Sequence, residues 1–178
     1  MTSMPWKRII NALLFQAGWF ICVLGGNTLA LISTVLIVTI HVIFITEWKK
    51  ERELLFVTLV LGSAVDSFLG NIGVLSFYHD SLLLPLWLAC LWLLFATTLR
   101  HCLAWTGRHK LAGALVGAIA GPMSYYAGSQ LSNVELSLPL WKSMLILSVI
   151  WAMMIPLLQS FSAMWLDRYQ RDYPNIIN

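Results

Sequence analysis

The chain has 178 residues, of which 59% are hydrophobic and 11% charged, and its net charge is +3. A soluble domain of this length cannot bury so much apolar surface, so the composition excludes an ordinary water-soluble fold and favours a membrane protein. The excess of positive charge is explained by loop residues beside anionic lipid headgroups, and it requires no nucleic-acid partner.

Six apolar runs follow one another along the chain, and each is close to the ~20 residues that a helix needs to cross ~30 Å of hydrocarbon. The first run follows a short basic segment, as a signal peptide would. A second apolar run then follows directly, where a cleavage site and a polar mature start would be expected, so we interpret the first run as a retained helix. The sequence predicts an all-α membrane protein with one transmembrane domain, 1–178, and a bundle of six helices. The predicted spans are 9–26, 27–46, 55–77, 84–106, 111–131 and 143–166.

Positive charge is distributed unevenly about these spans. Ten of the eleven Lys and Arg residues fall on one side of the membrane, and Lys142 falls on the other. Because positively charged loops stay in the cytoplasm, both termini are predicted to be cytoplasmic. An even number of spans requires the same arrangement.

Asp66 is placed about eleven residues into the third span, near the bilayer midplane by a helical rise of about 1.5 Å per residue. An aspartate at that depth costs roughly 3 kcal/mol, so it must face protein or water and is a candidate functional residue. Gly62, Gly70 and Gly73 share its helix face, a pattern typical of close contact with another helix or a ligand. In the alternative interpretation, Asp66 is a hydrogen-bonded group that holds neighbouring helices together.

Other polar side chains in the spans complete the candidate site. Tyr125 and Tyr126 point about 100° apart on a helix, so one of them is expected to share an interior with Asp66. His41 and His101 are predicted to lie at similar depth, and either is a candidate catalytic acid or base with Asp66 as its partner. The predicted ligand-binding residues are Asp66, Asn71, Thr97, His101, Ser124, Tyr125, Tyr126 and Gln159.

Two histidines and an aspartate are ligands that suit zinc or iron. Helix rise places Asp66 roughly 7 Å deeper than His41 or His101, and the familiar metal motifs are missing from the sequence, so no metal site is predicted. Those three residues remain the metal candidates, and no cofactor is assigned. Cys22 and Cys90 share one depth and act as small apolar residues, and whether they meet is left open.

The run PLWLACLWLLFATTLRH at 85–101, followed by GPMSYYAG at 121–128, resembles a family of short bacterial inner-membrane proteins. The family is known as domain of unknown function 2878, and the likeness extends over nearly the whole chain. The genes that encode its members look like neighbours of genes for fatty-acid cyclopropanation or related lipid modification. The resemblance therefore implies a bacterial inner-membrane location and a role linked to lipids, but it transfers no catalytic residue.

Four functions are compatible with these residues. The first is an accessory protein that holds a lipid-like or small apolar molecule within the bundle. The second is an intramembrane lipid-modifying enzyme that uses Asp66 with His101 or His41. The third is a small proton- or cation-coupled transporter centred on Asp66, and the fourth is a scaffold or assembly partner. The expected partners are the lipid bilayer, a lipid-like ligand, and a second copy of the chain or another membrane protein.

Overall fold

The computed structural model describes residues 5–77 and 82–172, and within those ranges the chain forms six α-helices and two short strands. Three helical segments are long and apolar enough to cross a membrane: Pro5–Ile45, Trp48–Asn71 and Leu140–Asp172. A π-helical turn, His41–Ile45, extends the first helix. The elements are α1 Pro5–Ile40, α2 Trp48–Asn71, β1 Leu75–Phe77, α3 Leu86–Ala96, α4 Ala104–Arg108, α5 Lys110–Leu131, β2 Val134–Leu136 and α6 Leu140–Asp172.

The chain reverses direction inside α1, at Gly26. This residue has φ 66° and ψ −173°, a conformation that is almost confined to glycine. As a result, Nδ2 of Asn11 lies 3.5 Å from Nδ1 of His41, whereas 30 residues of straight helix would separate them by about 45 Å. Residues 5–25 and 27–45 are therefore two antiparallel helices, and the reversal falls at the boundary between the first two predicted spans.

The helix that carries Asp66 ends earlier than predicted. The N–H of Val74 donates to the carbonyl of Leu69 (2.9 Å), the N–H of Gly73 donates to that of Gly70 (3.1 Å), and Gly73 has φ 73°. This is a Schellman cap, which ends a helix at a glycine in the left-handed region. Strand β1 follows and pairs with β2 in antiparallel fashion. The predicted helical span 55–77 therefore extends too far, because α2 runs from Trp48 to Asn71 and Asp66 lies five residues before its end.

The predicted helix over 84–106 is also interrupted. Helix α3 stops at Ala96, and the segment 97–103 is wound in tighter turns in which the N–H groups of Thr97 and Thr98 bond three residues back. The hydroxyls of both threonines donate to the carbonyls of Leu94 and Phe95, at 2.7 and 2.6 Å. Such local hydrogen bonds compete with regular helix. We call residues 97–103 the broken segment.

The core is built around two stacked tryptophans. The rings of Trp92 and Trp151 lie 5.2 Å apart between centroids and within 9° of parallel. Gly62 of α2 faces Trp92, and Gly121 of α5 faces Trp151, so that a Cβ at either glycine would overlap the indole ring. The prediction that Gly62 allows close contact with another helix is confirmed.

Candidate functional site

Among the described residues, the buried aspartate, glutamate and histidine side chains form two separate groups. One contains Asp66, and the other contains His41, Glu51 and His101, which we call the histidine cluster. Helix α2 carries both Glu51 and Asp66, 15 residues apart, which corresponds to about 22 Å along its axis. The predicted pairing of Asp66 with His101 or His41 is therefore wrong, because Glu51 occupies the position beside the histidines.

Asp66 is completely buried and joins three helices. Its Oδ2 accepts a hydrogen bond from Nε1 of Trp92 at 2.6 Å, and its Oδ1 accepts one from the hydroxyl of Tyr125 at 2.5 Å. Within the described ranges, no lysine, arginine or histidine forms an ion pair with it. Tyr125 thus faces Asp66, whereas Tyr126 is 42% exposed, as expected for neighbours on a helix. Asp66 matches the interpretation in which it holds helices together.

The histidine cluster is assembled from three elements. The π-helical turn supplies His41, the first turn of α2 supplies Glu51, and the broken segment supplies His101. Nε2 of His101 lies 3.2 Å from Oε1 of Glu51, and the two imidazole rings meet edge to face with centroids 4.7 Å apart. The predicted similar depth of His41 and His101 is confirmed.

Each member of the histidine cluster has one polar atom without a hydrogen-bond partner. Nε2 of His41, Oε2 of Glu51 and Nδ1 of His101 are buried and bond to nothing in the part of the chain that the structure describes. Buried polar atoms are bonded in the great majority of cases, so three exceptions in one place call for an explanation. One potential ligand atom from each residue lies within 4.8 Å of the other two. Of the three metal candidates, two are therefore brought together, and Asp66 is excluded by distance.

The broken segment is fixed by side chains from other elements. Asn11 donates to the carbonyl of Thr97 (3.1 Å) and accepts from the N–H of Cys102 (3.3 Å). Nε2 of Gln159 donates to the carbonyls of Leu99 (2.8 Å) and Leu103 (3.1 Å). Buried irregular backbone is stable only when other groups satisfy its polar atoms in this way. These hydrogen bonds hold the backbone that carries His101 in place.

Arg100 ties the same segment to its surroundings. Its guanidinium donates to the carbonyl of Lys50, and also to the hydroxyl (2.8 Å) and carbonyl (2.9 Å) of Ser162. Nearby, Nζ of Lys50 donates to Oε1 of Glu47 at 2.8 Å, and this hydrogen bond lowers the pKa of the exposed Glu47 carboxyl below its usual range. The surface of this end therefore combines fixed cations with a charged carboxylate.

A cleft of about 680 Å³ opens beside the histidine cluster, and Glu51 and His101 lie in its wall. We call it the basic cleft. Among the described residues that line it, five are lysine or arginine and Glu51 is the one carboxylate, so its field attracts anions. Its cationic residues are Lys7, Arg8, Lys50, Arg100 and Arg108, and its apolar residues are Ile45, Leu99, Ala104, Ala163 and Leu166.

The remaining predicted ligand residues do not form one pocket. The hydroxyl of Ser124 accepts from Nε1 of Trp19 (3.0 Å), and Asn71 donates to carbonyls in its own helix and in the following loop. Thr97 and Gln159 satisfy backbone carbonyls of the broken segment and its flanks. Ser124 and Tyr125 line an apolar cleft of about 70 Å³, which is too small for a lipid. Cys22 and Cys90 are both buried in one apolar cluster and are not bonded to each other.

Sequence reasoning missed Glu51 and Asn11. Glu51 stands in the run Lys-Lys-Glu-Arg-Glu at 49–53, which is typical of a solvated loop. A usable signal was present, because the face that carries Asp66 and Gly62 continues back through Thr58 to Glu51 at helical spacing. All four residues are buried in α2.

The chain matches one family model, described as protein of unknown function (DUF2878), over residues 8–157. No curated protein and no solved structure matches it. The matched region contains Asp66, the histidine cluster and most of the basic cleft, so both polar groups lie within the family domain. On this match, which covers 150 of 178 residues, the chain belongs to the DUF2878 family.

Proposed function

We propose that the chain is a six-span protein of the bacterial inner membrane that binds an anionic, lipid-like molecule, with the headgroup in the basic cleft. The observation that carries this proposal is the lining of that cleft, in which five cations and one carboxylate meet apolar side chains between helices. The proposed role is that of an accessory to membrane-lipid modification, as the family resemblance implies.

Contacts at the two ends of the helices support the six spans. Residues of the histidine cluster and Asn11 meet at one end. At the other end the N–H of Trp87 donates to Oδ1 of Asn27 at 3.1 Å, close to the reversal at Gly26. Counting the reversal in α1, the chain passes six times between these ends. The cationic residues gather at the end of the histidine cluster, which supports a cytoplasmic location for that end and for both termini.

The basic cleft suits an amphiphile in both volume and chemistry. Its volume of about 680 Å³ lies within the range of about 300–1,000 Å³ that small-molecule sites occupy. Each lysine or arginine near an anionic lipid contributes about 1 kcal/mol of attraction. Leu99, Ile45 and Leu166 give the same cleft an apolar wall that an acyl chain can follow.

The other predicted functions have less support. A transporter centred on Asp66 requires water to reach that residue, yet Asp66 is fully buried between two neutral donors. An enzyme that pairs Asp66 with a histidine is excluded, because the histidines lie beside Glu51, and Glu51 is about 22 Å from Asp66 along α2. Assembly with a second copy or with another membrane protein, and with it the scaffold role, remains a prediction.

Native mass spectrometry of the gently purified protein tests the proposal. With phosphatidylglycerol and phosphatidylcholine added in equal amounts, the wild type should retain the anionic lipid preferentially. The double variant Lys7→Gln/Arg108→Gln removes two cations of the cleft, a loss of about 2 kcal/mol, and should bind phosphatidylglycerol about 30-fold more weakly.

The matched control is Arg168→Gln/Arg171→Gln, which changes the net charge equally at exposed positions outside the cleft. It should bind phosphatidylglycerol like the wild type. Equal retention of both lipids by the wild type would contradict the proposal. So would an equal loss of phosphatidylglycerol in the two double variants, because charge alone would then account for binding.

A further inference from the structure

We propose that His41, Glu51 and His101 bind one divalent transition-metal ion, of the class of Zn²⁺ or Fe²⁺. The three side chains come from three different elements and are 0%, 1% and 7% exposed. One potential ligand atom of each lies within 4.8 Å of the other two. This site is independent of the lipid-binding role proposed above.

Each of the three residues uses one polar atom to fix its position and leaves the other available. Oε1 of Glu51 accepts from the hydroxyl of Thr46 (3.2 Å) and lies beside Nε2 of His101, while Oε2 is unpartnered. His101 is held through Nε2, and its Nδ1 has no partner among the described residues. His41 has Nδ1 beside Asn11 and Nε2 unpartnered. Metal ligands are oriented in the same way by bonds to their second polar atom.

A bound cation would supply the partner that the buried nitrogen and oxygen atoms of the cluster lack. Two imidazole nitrogens and a carboxylate oxygen are acceptors that bind a metal ion directly, and no other group of the described chain reaches the three free atoms. Ligands about 2 Å from a tetrahedral ion lie roughly 3.3 Å apart. One potential ligand atom of each residue lies within 4.8 Å of the other two, which exceeds that spacing by about 1.5 Å, so the side chains must move closer together to hold one ion.

The ligand set selects the class of metal. Imidazole suits zinc, iron and other transition metals, whereas magnesium and calcium prefer oxygen ligands throughout. Three protein ligands leave at least one coordination position open, as in catalytic rather than structural sites. Glu51 and His101 line the basic cleft, so the open position lies beside it. A headgroup oxyanion is the ligand that fits there, and this last step rests on the proposed function.

Titration with Co²⁺, whose visible absorption reports nitrogen and oxygen ligands, tests the site. The protein carries an affinity tag without histidine and is first stripped with a chelator. We expect one Co²⁺ per chain, displaced by one equivalent of Zn²⁺. His41→Gln, His101→Gln and Glu51→Gln should each weaken Co²⁺ binding at least about 100-fold, since even outer-shell changes cost about 10–100-fold.

His109→Gln is the matched control, because His109 is exposed and lies outside the cluster. Its Co²⁺ affinity should equal that of the wild type. Unchanged binding in the His41 and His101 variants would overturn the proposal. If a variant fails to fold, the titration of the wild type decides. Absorption that saturates at one Co²⁺ per chain and disappears when Zn²⁺ is added supports the site. A spectrum that does not change on addition of Co²⁺ overturns it.

The two proposals fail separately. Phosphatidylglycerol binding in the presence of chelator tests the basic cleft without the metal. Intact lipid binding with no Co²⁺ binding would refute the metal site alone, and intact Co²⁺ binding with no preference for phosphatidylglycerol would refute the lipid proposal alone.

Discussion

Replacement of Asp66 by alanine should destabilise the helix bundle by roughly 1–3 kcal/mol. The variant loses two hydrogen bonds, from Trp92 at 2.6 Å and Tyr125 at 2.5 Å, and leaves both donors buried without a partner. Hydrogen bonds between membrane helices contribute about 0.6 kcal/mol on average and up to about 1.7 kcal/mol each, and two of them give this range. Asp66→Asn keeps one acceptor oxygen, so its stability should lie between that of the wild type and that of Asp66→Ala.

The free energy of unfolding can be measured in mixed micelles by raising the fraction of sodium dodecyl sulfate and following helicity by circular dichroism. A double-mutant cycle with Trp92→Phe, which removes the N–H donor and retains an aromatic ring, isolates one of the two bonds. Its coupling energy should be about 0.6–1.7 kcal/mol. Asp167→Ala, at an exposed position of α6, is the control and should stay within about 0.5 kcal/mol of the wild type.

The role of Asp66 in joining helices would be refuted if Asp66→Ala had the same free energy of unfolding as the wild type. It would also be refuted if the double-mutant cycle showed no coupling energy between Asp66→Ala and Trp92→Phe. Lipid binding separates structure from function at the same position. Asp66→Asn should retain phosphatidylglycerol, because Asp66 lies far from the basic cleft along α2. A stable Asp66→Asn variant that lost the lipid would instead make Asp66 part of the ligand site.

Three further predictions concern packing, the broken segment and topology. Gly121→Ala should cost about 1–3 kcal/mol, because the added methyl group overlaps the ring of Trp151. Gly128→Ala, where a Cβ meets open space, should be neutral in the same unfolding assay, and equal losses would contradict the packing. Gln159→Leu should lower the free energy of unfolding by about 2–3 kcal/mol, because the carbonyls of Leu99 and Leu103 lose their donor. The same change at the exposed Gln130 should lower it little. A reporter enzyme that works only outside the cytoplasm should be active after the fifth predicted span and inactive after the fourth, and the reverse pattern would invert the topology.

The helical class could be predicted from composition, but the ends of helices could not be predicted from hydropathy. The apolar residues after Gly73 continue the hydropathic signal of the third span, yet they form β1. Gly73 itself was the available signal, because a glycine near the end of an apolar run is typical of a helix cap. The break after Ala96 has a similar cause, since Thr97 and Thr98 bond to the backbone although their segment remains apolar.

For the candidate site, only the arrangement of residues within a single helix could be predicted from the sequence. Helical spacing correctly put Asp66 with Gly62, and it correctly separated Tyr125 from Tyr126. The contact between Glu51 and His101 joins residues 50 positions apart, so it depends on how helices pack. A charge run at a helix end is usually solvated, which is why Glu51 was not a candidate.

The two buried polar groups differ in a way that separates stability from function. In the group around Asp66, both carboxylate oxygens are bonded to donors of neighbouring helices, so the cost of placing a carboxyl group there is offset within the fold. In the histidine cluster, three buried atoms stay unbonded among the described residues, although Asn11, Gln159 and Arg100 satisfy the backbone around them. Stability alone would favour apolar residues at such positions. The metal ion that we propose, beside an anion-attracting cleft, would bond these atoms and so explain the presence of polar residues there.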